Sequence, residues 1–209
     1  MKKKEGLSIA TFGSATVRNV EDILQSLASE RTANLDGEDQ LTVLDFADSR
    51  VQKHLDYVEK KGHKNVRVVK ADMNEHPLAN NSVDMLFVDH TMAFNVVLDE
   101  NGDLDQDAVE NLYRTTLMSA AKVLTAHGRC ILSVNTHPET DQQENDYYLR
   151  CDEQLGKLFS SAVKESKLDE LLEQTGLEVL SRQDGVRLVL RKMKKQKIHE
   201  SECQQATDY

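Results

Sequence analysis

Residues 41–62 read LTVLDFADSRVQKHLDYVEKKG, and their order decides how the rest of the chain is read. Leu41 to Phe46 is a nearly continuous apolar run, as expected for a strand buried on both faces. Val51, Leu55 and Val58 then recur at helical spacing, and Gly62 supplies a helix stop. The unit continues in residues 65–90, NVRVVKADMNEHPLANNSVDMLFVDH. There Val66 to Val69 forms a strand ending at Ala71-Asp72, a loop holds Pro77, and Val83 to Val88 forms the next strand.

Working outward, the same alternation runs in both directions. Upstream, Leu7 to Phe12 is a β-type run. It leads through Gly13 into a segment with Val20, Ile23, Leu24 and Leu27 on one helical stripe. Polar residues 29–40 then form a loop with a turn at Asp36-Gly37. Downstream of the turn DENGD, Val109, Leu112, Thr116, Ala120 and Val123 share a helical face. Gly128 punctuates, and Cys130 to Val134 is a further strand. Helices around Leu155 to Val163 and Leu168 to Leu172 stop near Gly176. LEVLSRQDGVRLVLRK then reads as two strands joined around Asp184-Gly185, a hairpin adding an antiparallel edge.

Strands alternating with helices require parallel pairing and right-handed crossovers, hence a doubly wound α/β sheet. No linker rich in proline, glycine or serine divides the chain. Residues 1–195 are therefore expected to form one domain, and 196–209, which lack apolar periodicity, a polar tail.

Composition narrows the function. The chain has 209 residues and a formal net charge of −10, which disfavours nucleic acid or an anionic membrane as partner. The basic clusters at Lys2 to Lys4 and at Arg191 to Lys197 read as solvated ends of the fold. Cys130, Cys151 and Cys203 are odd in number without C-x-x-C spacing, so a reducing setting fits better than a disulfide framework. The histidines show no metal-ligand spacing, and no metal site is expected. The first residues, MKKKEGLSIATFGS, lack a signal-peptide core, and no apolar run is long enough to span a bilayer. The cytoplasm is the expected location.

The order of elements and four strings resemble the class I S-adenosylmethionine-dependent methyltransferases. Residues 41–62 look like that family's second strand and helix, and 65–90 like its third and fourth strands. AAKVLTAHGRCILSV is similar to its helix, small turn and fifth strand, with His127-Gly128 at the turn. TGLEVLSRQDGVRLVLRK looks like its closing antiparallel pair. The resemblance implies a mostly parallel seven-stranded sheet with an antiparallel C-terminal strand. It also implies S-adenosylmethionine lying across the carboxyl ends of the first strands, where open α/β sheets bind ligands.

The resemblance assigns roles to several residues. Asp45, with Phe46 beside it, stands where the family's acidic residue accepts hydrogen bonds from ribose hydroxyls; the alternative is that Asp45, Asp48 or Ser49 caps the following helix. Asp72 and Met73 would meet the adenine, the carboxylate at its amine and the thioether on its ring. The alternative for Asp72 is a strand-ending residue that satisfies turn amides. Asp89 and His90 follow the fourth strand, where methyl group and substrate approach. His90 is a candidate general base or else a satisfied histidine, because methyl transfer needs mainly alignment. Asn135, Thr136 and His137 share that rim.

The first loop departs from the family. Where acidic-x-Gly-x-Gly-x-Gly is usual, this chain has Ala10 and Thr11, then Gly13, Ser14, Ala15 and Thr16. Gly13 and Ser14 are still expected to approach the cofactor, with helix-start amides and Arg18 facing its carboxylate. The resemblance thus implies a methyltransferase acting on a small molecule or a protein, in a possible homo- or hetero-oligomer. The degenerate loop supports an alternative, a non-catalytic protein of this fold serving as binding or scaffolding partner. Another nucleoside-using reaction, such as aminopropyl transfer, is the third reading.

Overall fold

Strands form where the apolar runs predict them, because successive side chains of each run reach opposite faces of one sheet. The computed structural model describes residues 6–13, 39–89, 105–133, 162–183 and 187–193. They build strands β1 (Ser8–Phe12), β2 (Gln40–Asp45), β3 (Val66–Lys70), β4 (Val83–Asp89), β5 (Leu124–Ser133), β6 (Leu177–Gln183) and β7 (Arg187–Lys192). The helices are α1 (Asp48–Lys61), α2 (Gln106–Val123) and α3 (Ala162–Thr175). The expected helix around Val20 to Leu27, the segment from Leu155 to Ser161, the Asp184-Gly185 turn and residues 196–209 lie outside the described residues.

The sheet runs β3-β2-β1-β4-β5-β7-β6. β1 to β5 pair in parallel, and β7 is antiparallel to both β5 and β6. The C-terminal strand is antiparallel and the closing hairpin forms the edge of the sheet, as expected; β7 inserts beside β5, and β6 takes the outermost position.

Period-2 alternation sorts the side chains into two cores. Ala10, Phe12, Leu44, Leu86, Val88, Cys130 and Leu132 join Tyr113, Leu117, Ala120 and Val123 of α2 and Leu171 and Leu172 of α3. Ile9, Leu41 and Val43 form the second core with Tyr57 of α1 packed against it. Helices thus cover both faces, as a doubly wound sheet requires.

α1 ends as its sequence predicts. Gly62 adopts φ 71°, and the amides of Gly62 and His63 donate to the carbonyls of Glu59 and Val58, closing a Schellman motif. Its buried stripe is rotated from the expected one. His54 is buried, whereas Leu55 is 42% exposed, because the face turned to the sheet is centred on positions 51, 54 and 58. α2 starts on Asp105, whose carboxylate accepts from the amides of Asp107 and Ala108.

The expected turn at His127-Gly128 is corrected by the structure. β5 begins directly at Leu124, and the register against β4 jumps from Val83 opposite Leu124 to Met85 opposite Arg129. Residues 125–128 bulge out of that ladder instead of separating helix from strand. Thr125 anchors the bulge by donating from Oγ1 to Asp84 Oδ1 (3.1 Å), while Lys192 Nζ donates to the Leu124 carbonyl (3.0 Å).

Candidate functional site

The carboxyl ends of β1, β2 and β3 finish at one level, which leaves a cleft along that edge of the sheet. The ladder continues one step past the strands: the Gly13 amide donates to the Leu44 carbonyl, and the Ala71 amide to the Asp45 carbonyl, each at 3.0 Å. Gly13 sits at φ 66°, a left-handed conformation that glycine adopts without strain. With its amide already used, its contribution to the cleft is this turn and the missing Cβ.

The cleft has a volume of about 210 Å³ and is lined by Phe12, Gly13, Leu44, Asp45, Phe46, Ala71, Asp72, Met73, Asn74 and Leu112. Five residues singled out in the sequence therefore meet there: Gly13, Asp45, Phe46, Asp72 and Met73. Asp89 closes β4, in register with Ser133 of β5. Ser14, Arg18, His90, Asn135, Thr136 and His137 lie outside the described residues.

Asp45 is the most constrained group. Its Oδ1 accepts from the Ala47 amide (3.0 Å) and from Arg50 Nε (3.0 Å), and its Oδ2 accepts from the same Nε (2.9 Å). The Asp45 side chain is 0% exposed and that of Arg50 20%. The Arg50 guanidinium also lies 4.9 Å from the centre of the Phe46 ring, which is 49% exposed. The capping alternative takes an unexpected form. The α1 N-cap is Ala47, without a side-chain cap bond, so neither Asp48 nor Ser49 caps the helix. Asp48 pairs instead with Lys70 Nζ at 2.6 Å.

Asp72 is exposed, and its Oδ1 accepts from the Asn74 amide (2.7 Å), an Asx-type turn. The turn role is thus filled while the carboxylate still borders the cleft. Met73 is buried among the core residues. Thr116 Oγ1 reaches its sulfur at 3.5 Å, and Ser119 Oγ donates to its carbonyl at 2.7 Å. α2 therefore pins the loop that forms one wall.

His76, which the sequence did not single out, backs the lining residue Phe12. Its ring stacks on Phe12, centroids 5.3 Å apart, and its Nε2 lies 2.9 Å from Ser119 Oγ. Because the Ser119 hydroxyl proton goes to the Met73 carbonyl, Nε2 is the donor of this pair, and Nδ1 carries the lone pair. Nδ1 is buried without a hydrogen-bond partner among the described residues. Burial, and then the positive charge of Lys122, hold its pKa below the usual histidine value. Arg50 was equally unmarked. A basic residue five positions after a strand-ending acid is the only sequence signal that could have found it.

Among the described residues the lining is largely apolar, with the exposed Asp72 and the buried Asp45 as its acidic members and no lysine or arginine. Such a surface suits a group with an apolar ring, hydroxyl and amine donors, and no phosphate. An adenosine moiety meets that description, so the residues present fit S-adenosylmethionine better than a dinucleotide. Among the described residues no histidine, cysteine and acidic cluster could hold a metal, and no helix is long and apolar enough to cross a membrane.

No family model and no curated protein matches the sequence. Solved structures match by fold. A SAM-dependent methyltransferase from Aquifex aeolicus aligns with a TM-score of 0.53 at 16% identity, over 90% of this chain and 82% of that one. The DszA carbon methyltransferase gives 0.57 at 16% identity, over 92% of this chain and 48% of that one. The [4+2]-cyclase SpnF gives 0.51 at 14% identity, over 85% and 53%. With the strand order, these similarities show the class I methyltransferase fold. A cyclase on the same fold means that function has to be argued from the site.

Proposed function

We propose that the chain is an S-adenosylmethionine-dependent methyltransferase acting on a small molecule or a protein. The observation that carries this reading is the meeting of Gly13, Asp45, Phe46, Asp72 and Met73 in one cleft at the strand ends. When bound, the cofactor supplies an electrophilic methyl group on a sulfonium. In this reading Phe46 and Met73 offer apolar surface to the adenine, Asp72 accepts from its amine, and Asp45 accepts from ribose. Gly13 and Ser14 let the chain pass close to the cofactor's amino acid end. Asp89 closes β4 and His90 follows it in sequence, next to where a methyl acceptor would enter in this reading, with His90 as candidate general base. Alignment of acceptor, methyl and sulfur supplies most of the rate, as for other reactions limited by positioning.

The net charge of −10 argues against nucleic acid as acceptor. Residues 1–195 would form the catalytic domain, 196–209 a tail, and the cytoplasm would be the working location, with homo- or hetero-oligomers open to it. Purified protein, denatured and examined by mass spectrometry, tests the reading. Co-purifying S-adenosylmethionine or S-adenosylhomocysteine supports it, and its absence from protein that also fails to take up added cofactor counts against it. One observation favours the second reading, a binding or scaffolding protein on this fold: the Asp45 side chain has no exposed surface and is already paired with Arg50.

A further inference from the structure

We infer that His76 is a positioning residue of the cleft: its neutral ring anchors the loop that carries Asp72 and Met73, and protonating the ring loosens that anchor and weakens cofactor binding. The inference rests on the cofactor reading above and adds to it a dependence on pH.

The loop leaves β3 after Lys70 and folds back at once, since the Glu75 amide donates to the Asp72 carbonyl (3.1 Å) and the Asn74 amide to Asp72 Oδ1. His76 is the first residue past that turn. Its ring stacks on Phe12 of β1, and its Nε2–H donates to Ser119 Oγ of α2, whose own proton goes to the Met73 carbonyl. One side chain thus ties the loop to a strand and a helix, and both Phe12 and Met73 line the cleft. The tie depends on a neutral ring. Protonation places a second N–H at Nδ1, a buried atom without a hydrogen-bond partner among the described residues, and an unpaired buried donor is costly. Among the described residues, the charges around the ring do not offset this cost. Lys122 of α2 acts on it with a like charge, Asp72 and Glu75 of its own loop are exposed, and β1 presents the uncharged Phe12. Burial first, and Lys122 second, hold its pKa below the usual histidine value, against a smaller opposing effect of its own backbone. His76 is only half-buried, so the charged ring can turn out to water, which removes its support from Phe12 and its bond from Ser119.

Calorimetric titration with S-adenosylhomocysteine of wild type, His76→Ala and His76→Gln, at about pH 7.5 and about pH 5, brackets the ordinary histidine value and tests this. Wild type is expected to bind at least about 3-fold weaker at the lower pH with stoichiometry unchanged, because the free protein takes up a proton that the bound one lacks. His76→Ala, without ring or donor, is expected to bind roughly 10-fold weaker than wild type at the higher pH, and equally at both pH values. Glutamine restores a donor towards Ser119 but does not titrate, so His76→Gln should recover part of that affinity and stay flat with pH. If His76→Ala does not fold, wild type against His76→Gln decides alone. A role confined to stability would lower the stoichiometry at the lower pH and leave the affinity of the folded protein unchanged, which overturns the inference. Variants that lose affinity at the lower pH as wild type does also overturn it, because another group then titrates. Either result leaves the cofactor reading standing. Failure of all three proteins to bind at millimolar ligand at the higher pH overturns the cofactor reading, and the inference with it.

Discussion

Replacing Gly128 with alanine should destabilise the fold more than its surface-like sequence context, TAHGR, suggests. A Cβ at this position would lie 2.8 Å from the Val83 carbonyl oxygen, 3.0 Å from the Thr125 amide nitrogen and 3.0 Å from Leu124 Cδ2. Two of the three neighbours are backbone atoms of the β4–β5 bulge, so a rotamer change cannot relieve the contact. Overpacking of this kind costs about 1–3 kcal/mol. In a chain of this size, 2 kcal/mol corresponds to a fall in Tm of roughly 4–8 °C. Urea unfolding of wild type and Gly128→Ala, compared by midpoint at unchanged slope, reads the loss directly. Shortening Leu124 should not rescue the variant, since the backbone contacts remain. The consequence extends to the site, because the register set past the bulge aligns Asp89 with Ser133 at the rim. A loss under about 0.5 kcal/mol, the usual scale of a neutral surface substitution, would refute the packing argument.

His76 predicts a pH dependence. Its folded pKa lies below the usual value, so the unfolded chain takes up the proton first as pH falls. Stability from this group is fully present above about pH 6.5, the ordinary histidine value, and is lost as pH drops below it. Urea midpoints for wild type should therefore fall faster between pH 7 and pH 5 than those of His76→Gln; parallel curves would remove His76 as the cause. For Cys130, buried in the main core with its thiol pushed up to about 12, alkylation at pH 8 should be absent in the folded protein and rapid in urea. Peptide mapping that finds Cys130 modified in folded protein would contradict its burial.

Much of the fold was legible because its signals are local. The continuous run of β2, the αL glycine after α1 and the alternating pair at the C-terminus each carry their own physics within a dozen residues. What escaped depends on neighbours remote in sequence. The burial of His54 in place of Leu55 follows from how α1 rolls on the sheet, and the β5 bulge follows from its pairing with β4. The insertion of β7 between β5 and β6 is likewise a choice between two edges that a hairpin sequence alone does not make.

The site divides in the same way. Strand-ending Asp45 and Asp72 could be placed from the sequence because the sheet's carboxyl edge collects them. The pairing of Asp45 with Arg50 and the stacking of His76 beneath Phe12 could not, since each depends on side-chain direction after a turn. That pairing changes the meaning of Asp45 from an open acceptor to a covered one.

Calorimetric titration of the ligand-free protein with S-adenosylmethionine, and then with S-adenosylhomocysteine, tests the central claim most directly. The account predicts one site per chain and micromolar affinity for both, about −8 kcal/mol of binding free energy. No binding of either up to millimolar concentration would contradict it, leaving the cleft a feature of the fold without its cofactor.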